Sequence, residues 1–153
     1  MSCKIGFDGV LQVSAAYAMG ADISGASLTT MGGVRDVNTS VSQDTAEVSD
    51  RGSAFKAYCP GMVDLETTVE VTYNMDNTEL VACIDACINR KRIQIAVLDG
   101  AAGAGFTYWA MVTSSDVNQP LTEGMTVSLT FKPVQTFNSS TGALIPPAWD
   151  DGS

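Results

Sequence analysis

The sequence predicts a mainly β domain, a β-sandwich or small barrel flanked by one α-helix. Three observations lead there. Strict alternation of apolar and polar residues marks strands at 64–73 and 124–132. One segment between them has helical periodicity instead. Over 153 residues the order is strands, helix, strands, with no internal repeat, which suits a single core.

Taken in order, residues 4–18 are an extended apolar and small-residue run, read as a strand interrupted at Gly9. Residues 20–33, rich in Gly, Ser and Thr, read as a long loop. Val37, Thr39 and Val41 alternate with Asn38 and Ser40, which predicts a half-buried strand. Residues 42–62 mix polar turn residues with Phe55 and Tyr58, around a short strand near Glu47. They predict a long hairpin or projecting loop. In 64–73, Leu65, Thr67, Val69, Val71 and Tyr73 share one face, and Glu66, Thr68, Glu70 and Thr72 the other. That is an antiparallel strand with one dry and one wet side.

The helix follows at once. Asp76 is placed to cap it, with Glu79 completing a capping box. Leu80, Cys83, Ile84, Cys87 and Ile88 form one apolar stripe, so the helix is expected to lie on a sheet. Arg90, Lys91 and Arg92 are read as its last turn, where cations favour the carbonyl end of the dipole. Residues 92–98 then form an apolar strand that ends at Asp99-Gly100. The Gly and Ala run to Gly105 is a hairpin tip, and 106–117 and 124–132 are the last strands. The domain is drawn as 1–134. Residues 135–153 form an extended C-terminal arm, with Trp149 as an anchor on the subunit itself or on a neighbour.

Charged residues make up only 16%, against roughly 25% in typical soluble domains. Such a surface fits a protein whose faces are covered by neighbours, and it also fits a secreted β-domain. Eight basic against seventeen acidic residues give a net charge of −9, which repels phosphate backbones. Cys83 and Cys87 sit four apart on the helix, where a bridge has the wrong geometry. Four free thiols, Cys3 and Cys59 included, are therefore expected, in a reducing compartment. No apolar run follows Met1, so no signal peptide is expected, and no stretch has the ~20 apolar residues of a membrane span.

Reactive chemistry is sparse. There is no histidine to activate a serine. Lys4, Lys56, Lys91 and Lys132 stand in no motif of a Ser-Lys dyad. Gly100, Gly103 and Gly105 have neither the spacing nor the following helix of a nucleotide loop. Asp44, Glu47 and Asp50 lack the Gly and distal Glu of a calcium loop. Glu66 and Glu70 lie about 13 Å apart along a strand, wider than a glycosidase pair. Asn138-Ser139-Ser140 spells a glycosylation sequon, which has no meaning without secretion. No cofactor, metal or catalytic residue is assigned. The Arg90-Lys91-Arg92 triplet has two readings, a solvated helix end or an ion-paired contact with a neighbouring subunit.

Several features in order resemble the phage major tail protein (tail tube) family. Residues 32–74 run from a strand into a polar stretch of Asp, Thr, Val and Ser. Then come an Arg51-Gly52 turn with Phe55, the glycine Gly61, and a Glu- and Thr-rich strand. A helix, an "IQIAVLD" strand and the closing "EGMTVSLTFKP" follow, so the resemblance spans 32–134. It implies a β-sandwich or barrel with one flanking helix, closed into hexameric rings that stack as a hollow tube. DNA would pass through without specific binding. Implied partners are further copies of the chain, with tape-measure, tail terminator and baseplate proteins. The implied location is the virion tail, assembled in the host cytoplasm. The loop that reaches the adjacent ring would include Asp44, Glu47, Asp50, Arg51, Phe55, Lys56 and Tyr58. Two rivals remain: the tube of a contractile injection machine, and a monomeric β-sandwich binding module. The binding module would expose an aromatic platform such as Tyr108 and Trp109.

Overall fold

The computed structural model describes residues 9–74, 76–100, 103–138 and 141–150. Eight strands and one helix follow in the order β1 (Val10–Val13), β2 (Thr29–Thr30), β3 (Val34–Glu47), β4 (Tyr58–Thr72), α1 (Thr78–Ile88), β5 (Arg92–Leu98), β6 (Gly105–Asn118), β7 (Thr126–Pro133) and β8 (Ala148–Asp150). All pairings are antiparallel and join one sheet, ordered β2-β1-β5-β6-β7-β4-β3. The sheet curls into a half-barrel, so of the two architectures expected the barrel-like one is realised. At the open seam, β1 and β3 face each other across a cavity of about 380 Å³ lined by Leu11, Val34, Val37 and Val97.

The register lays one apolar residue against another across the concave face. Val37, Val69 and Leu129 stand in one row, and Val71 and Val127 in the next. Leu11, Val13, Ile93, Ile95, Ala110, Val112 and Phe131 complete this face, all buried. α1 fills the concavity with Leu80, Cys83 and Ala86. Each such aliphatic side chain contributes about 1.5–3 kcal/mol by leaving water. A polar thread crosses the core: the Tyr108 hydroxyl donates to Thr67 Oγ1 at 2.5 Å, and Thr39 Oγ1 lies 3.3 Å from the same oxygen. Burial, the largest cause, pushes the Tyr108 phenol up to about 12. Burial likewise pushes the Cys83 thiol up to about 12.

Several expectations are corrected here. The first strand is only Val10–Val13; residues 14–18 leave the ladder, apart from a bridge between Tyr17 and Arg92. The helix cap is Asn77, whose side chain accepts from the Leu80 amide, and Asp76 lies outside. Asn77 Nδ2 also donates to the Gly32 carbonyl at 2.8 Å, which ties the helix start to the β2–β3 turn. The buried stripe is Leu80, Cys83 and Ala86, whereas Ile88 is 72% exposed. Nor do Arg90, Lys91 and Arg92 form the last turn. The helix stops at Ile88, Arg90 takes the left-handed φ of 56°, and the Lys91 amide reaches back to the Ala86 carbonyl. This is a Schellman stop with arginine where glycine is usual, which explains why the sequence signals no end. Tyr108 and Trp109 are both buried, so they form no exposed platform. Cys59 is exposed, Cys83 buried and Cys87 half-buried, all three free. Cys3, the N-terminal residues 1–8 and two residues of the sequon lie outside the described residues.

Candidate interaction surface

β3 and β4 pair from Val34↔Val71 to Glu47↔Tyr58, and the outer part of this ribbon leaves the body. From Val41 to Asp64 every residue is exposed. The ribbon continues the alternation of the body until a bulge, where Asp44 of β3 stands against Gly61 and Met62 of β4. A Cβ on Gly61 would come within 2.8 Å of the Asp44 carbonyl oxygen, so glycine permits the bulge. By register, the extra residue carries Tyr58 to the side of the arm that holds Val41 and Val63. The core face thus runs on into solvent.

The tip, residues 48–57, is held by short local bonds. The Val48 amide donates to the Ala57 carbonyl, and the Ala57 amide to Ser49 Oγ, at 2.8 and 2.9 Å. Asp50 Oδ1 accepts from the Gly52 amide at 2.8 Å, and Ser53 Oγ from the Phe55 amide at 3.1 Å. The tip is therefore shaped rather than loose, yet its main apolar group has nothing to cover it. Phe55 and Met62 are each 83% exposed, and Val48, Tyr58 and Val63 are more than half exposed. Several large apolar side chains left exposed on one projecting ribbon point to an interaction surface.

Asp44, Glu47, Asp50, Arg51, Phe55, Lys56 and Tyr58 all fall on this arm. Val41, Val48, Met62 and Val63 are further exposed apolar residues of the arm or its root. By register Val41 and Val63 share the face that continues the core, whereas Met62, next to Val63 in β4, lies on the other. At the root of the arm, Val41, Val63, Phe106, Pro133, Pro147 and Trp149 line an apolar groove of about 390 Å³. Trp149 of β8 meets Phe106 edge to face at 4.8 Å, anchoring the C-terminal segment on its own subunit while staying 61% exposed.

The basic triplet is split three ways. Lys91 pairs with Asp85 at 2.9 Å, and together with Asn89 it holds that carboxyl below its ordinary value. Arg92 is buried at 5% exposure, and Arg90 alone stands exposed. The convex face of β3, β4 and β7 is wet: Asn38, Ser40, Thr68, Ser128 and Thr130 surround Glu66 and Glu70. These two carboxylates pair with Lys132 at 3.5 Å and Arg35 at 3.9 Å, exposed contacts of small energetic value. Among the described residues no group of three ligating side chains is placed to hold a metal, and no helix is long and apolar enough to cross a membrane.

The fold matches that of solved structures. The SPP1 tail tube protein superposes with a TM-score of 0.73 at 12% identity, over 97% of this chain and 80% of that one. The chain has the tail-tube fold. The tail of an empty gene transfer agent particle, with C6 symmetry, gives 0.69 at 15% identity over 88% of this chain and 96% of that one. A sheath–tube complex of an extracellular contractile injection system gives 0.59 at 15% identity, over 97% and 92%. No protein-family model and no curated protein sequence matches the chain.

Proposed function

We propose that this chain is the structural tail tube subunit of a bacteriophage. It self-assembles into stacked hexameric rings whose bore conducts DNA during ejection. The observation behind this reading is the arm, a shaped ribbon with bare Phe55, Tyr58, Met62 and Val63 on a tail-tube fold. Docking the arm on the adjacent ring removes that apolar surface from water. Arg90 is the member of the basic triplet left for an ion pair with a neighbour.

The wet convex face of β3, β4 and β7 suits the wall of the bore. Its carboxylates Asp36, Glu66 and Glu70 outnumber the cations Arg35 and Lys132, and the net charge of −9 repels a phosphate backbone. Tape-measure protein would fill the bore before ejection, with terminator and baseplate proteins at its ends. The tail, assembled in the host cytoplasm, would then be the working location.

A second reading, the tube of a contractile injection machine, is favoured by the likeness to the sheath–tube complex. Negative-stain electron microscopy of the concentrated protein tests both. Hollow tubes of six-fold rings are expected, and a monodisperse monomer at every concentration would overturn them. Binding of a sheath protein along the tubes would select the second reading.

A further inference from the structure

Among the described residues, Arg92 is a buried cation with no carboxylate partner. Its side chain lies on the convex side of β5, at 5% exposure, beneath the segments that flank β1 and β7. Nη2 donates to the Ala21 carbonyl at 2.9 Å, and the guanidinium sits 5.7 Å from the centroid of the Trp109 ring. Nε has no hydrogen-bond partner among the described residues. The three ion pairs among the described residues use Arg35, Lys91 and Lys132, and none uses Arg92. A buried guanidinium with one carbonyl and one ring face is under-satisfied, since buried charges are ordinarily paired. It lines a cavity of about 430 Å³ together with Met19, Gly20, Val134, Gln135 and Phe137. The cavity is large enough for a carboxylate side chain.

We infer that this cavity is a socket for a carboxylate of the β3–β4 arm of a second copy, received by Arg92. The inference rests on the tube reading and names one contact within it. Two observations choose the arm. The antiparallel ladder makes β3 and β5 run the same way, so the arm leaves the sheet at the end Leu98 reaches. Arg92 stands at the other end of β5. A head-to-tail contact therefore brings the arm of one copy toward the Arg92 end of the next. The arm also offers the right chemistry: Asp44, Glu47 and Asp50 are exposed and form no ion pair among the described residues. Guanidinium recognises carboxylate through paired N–H donors, which would satisfy the donors left open here.

The test compares tube formation by the full chain with that of Arg92→Met, Arg92→Lys, and Asp44→Asn, Glu47→Gln and Asp50→Asn singly and combined. Sedimentation of assembled material gives the concentration at which tubes form. Arg92→Met and the combined arm variant should each raise it by about tenfold or more. Joining the two should add little, and Arg92→Lys should lie between. The arm variants touch no buried contact, so they decide the matter even where Arg92→Met fails to fold. Wild-type-like assembly by the combined arm variant, or by a folded Arg92→Met, would overturn the socket and leave the tube reading standing. A wild-type chain that forms no tubes would overturn both.

Discussion

The two ends of one hairpin show how the molecule divides its labour. At its root, β3 and β4 bury Leu65, Thr67, Val69 and Val71 against β7 and the helix. Beyond Val41 and Leu65 the same ribbon is exposed on every residue, although its backbone pairing continues to Glu47↔Tyr58. Backbone hydrogen bonds alone hold an isolated two-stranded ribbon only marginally. The arm therefore keeps its form through the bulge, the tip bonds and continuity with a packed root. The root specifies the fold, and the arm's side chains are free to specify a partner.

This contrast is broken most violently in the core. Leu80→Asp places a carboxylate inside the concavity, at a cost comparable with the whole stability of about 5–15 kcal/mol. Loss of the cooperative melt is expected, and an unchanged melting temperature would mean that α1 is not docked. Phe131→Ala should cost about 3–5 kcal/mol in denaturant unfolding. Phe55→Ser on the arm, by contrast, should move stability by less than about 0.5 kcal/mol and yet suppress tube formation.

Smaller effects sharpen the boundary. Asn77→Ala should cost about 0.5–2 kcal/mol, while Asp76→Ala does almost nothing, as chemical denaturation of the pair will show. Arg90→Gly should raise the melting temperature through relief of about 1 kcal/mol of left-handed strain. A further effect is confined to alkaline pH. The Cys83 thiol titrates near 9.0 when unfolded and about 12 when folded. Its contribution is whole below pH 9 and declines as pH rises toward 12, because only the unfolded chain ionises in that window. The fall in melting temperature above pH 9 should be shallower in Cys83→Ala than in the wild type.

How far the sequence led can be seen in particular residues. Period-two alternation placed β7 and the buried part of β4 closely, because each has one dry face and the pattern is forced, but it missed the exposed first residues of β4 from Tyr58. The helix was legible from its stripe, but its ends were not. Asp76 read as the cap because Glu79 stands three residues on, but Asn77 takes that place, and Arg90 takes a conformation that glycine would have announced. Arg92 was given two places: with no visible stop the triplet looked like a helix end, while the strand read over 92–98 already began with Arg92, as β5 does. The projecting segment was legible from its turn residues. Its regular pairing was not, since Gly61 shifts the phase and no core enforces a face beyond it. Trp109 shows the remaining gap. It sits on the convex side of β6, where alternation predicts solvent. Tyr17 covers it edge to face at 5.9 Å, from a segment with no periodicity of its own.

The central claim is that the arm joins subunits and contributes little to folding. Replacing residues 44–62 with Asn-Gly closes the ribbon at the Gln43↔Val63 pair, where a two-residue turn suits the ladder. Electron microscopy and thermal melting of this variant beside the wild type test the claim directly. The account predicts an unchanged melt and no stacked tubes. Tubes of normal length from the shortened chain would contradict it.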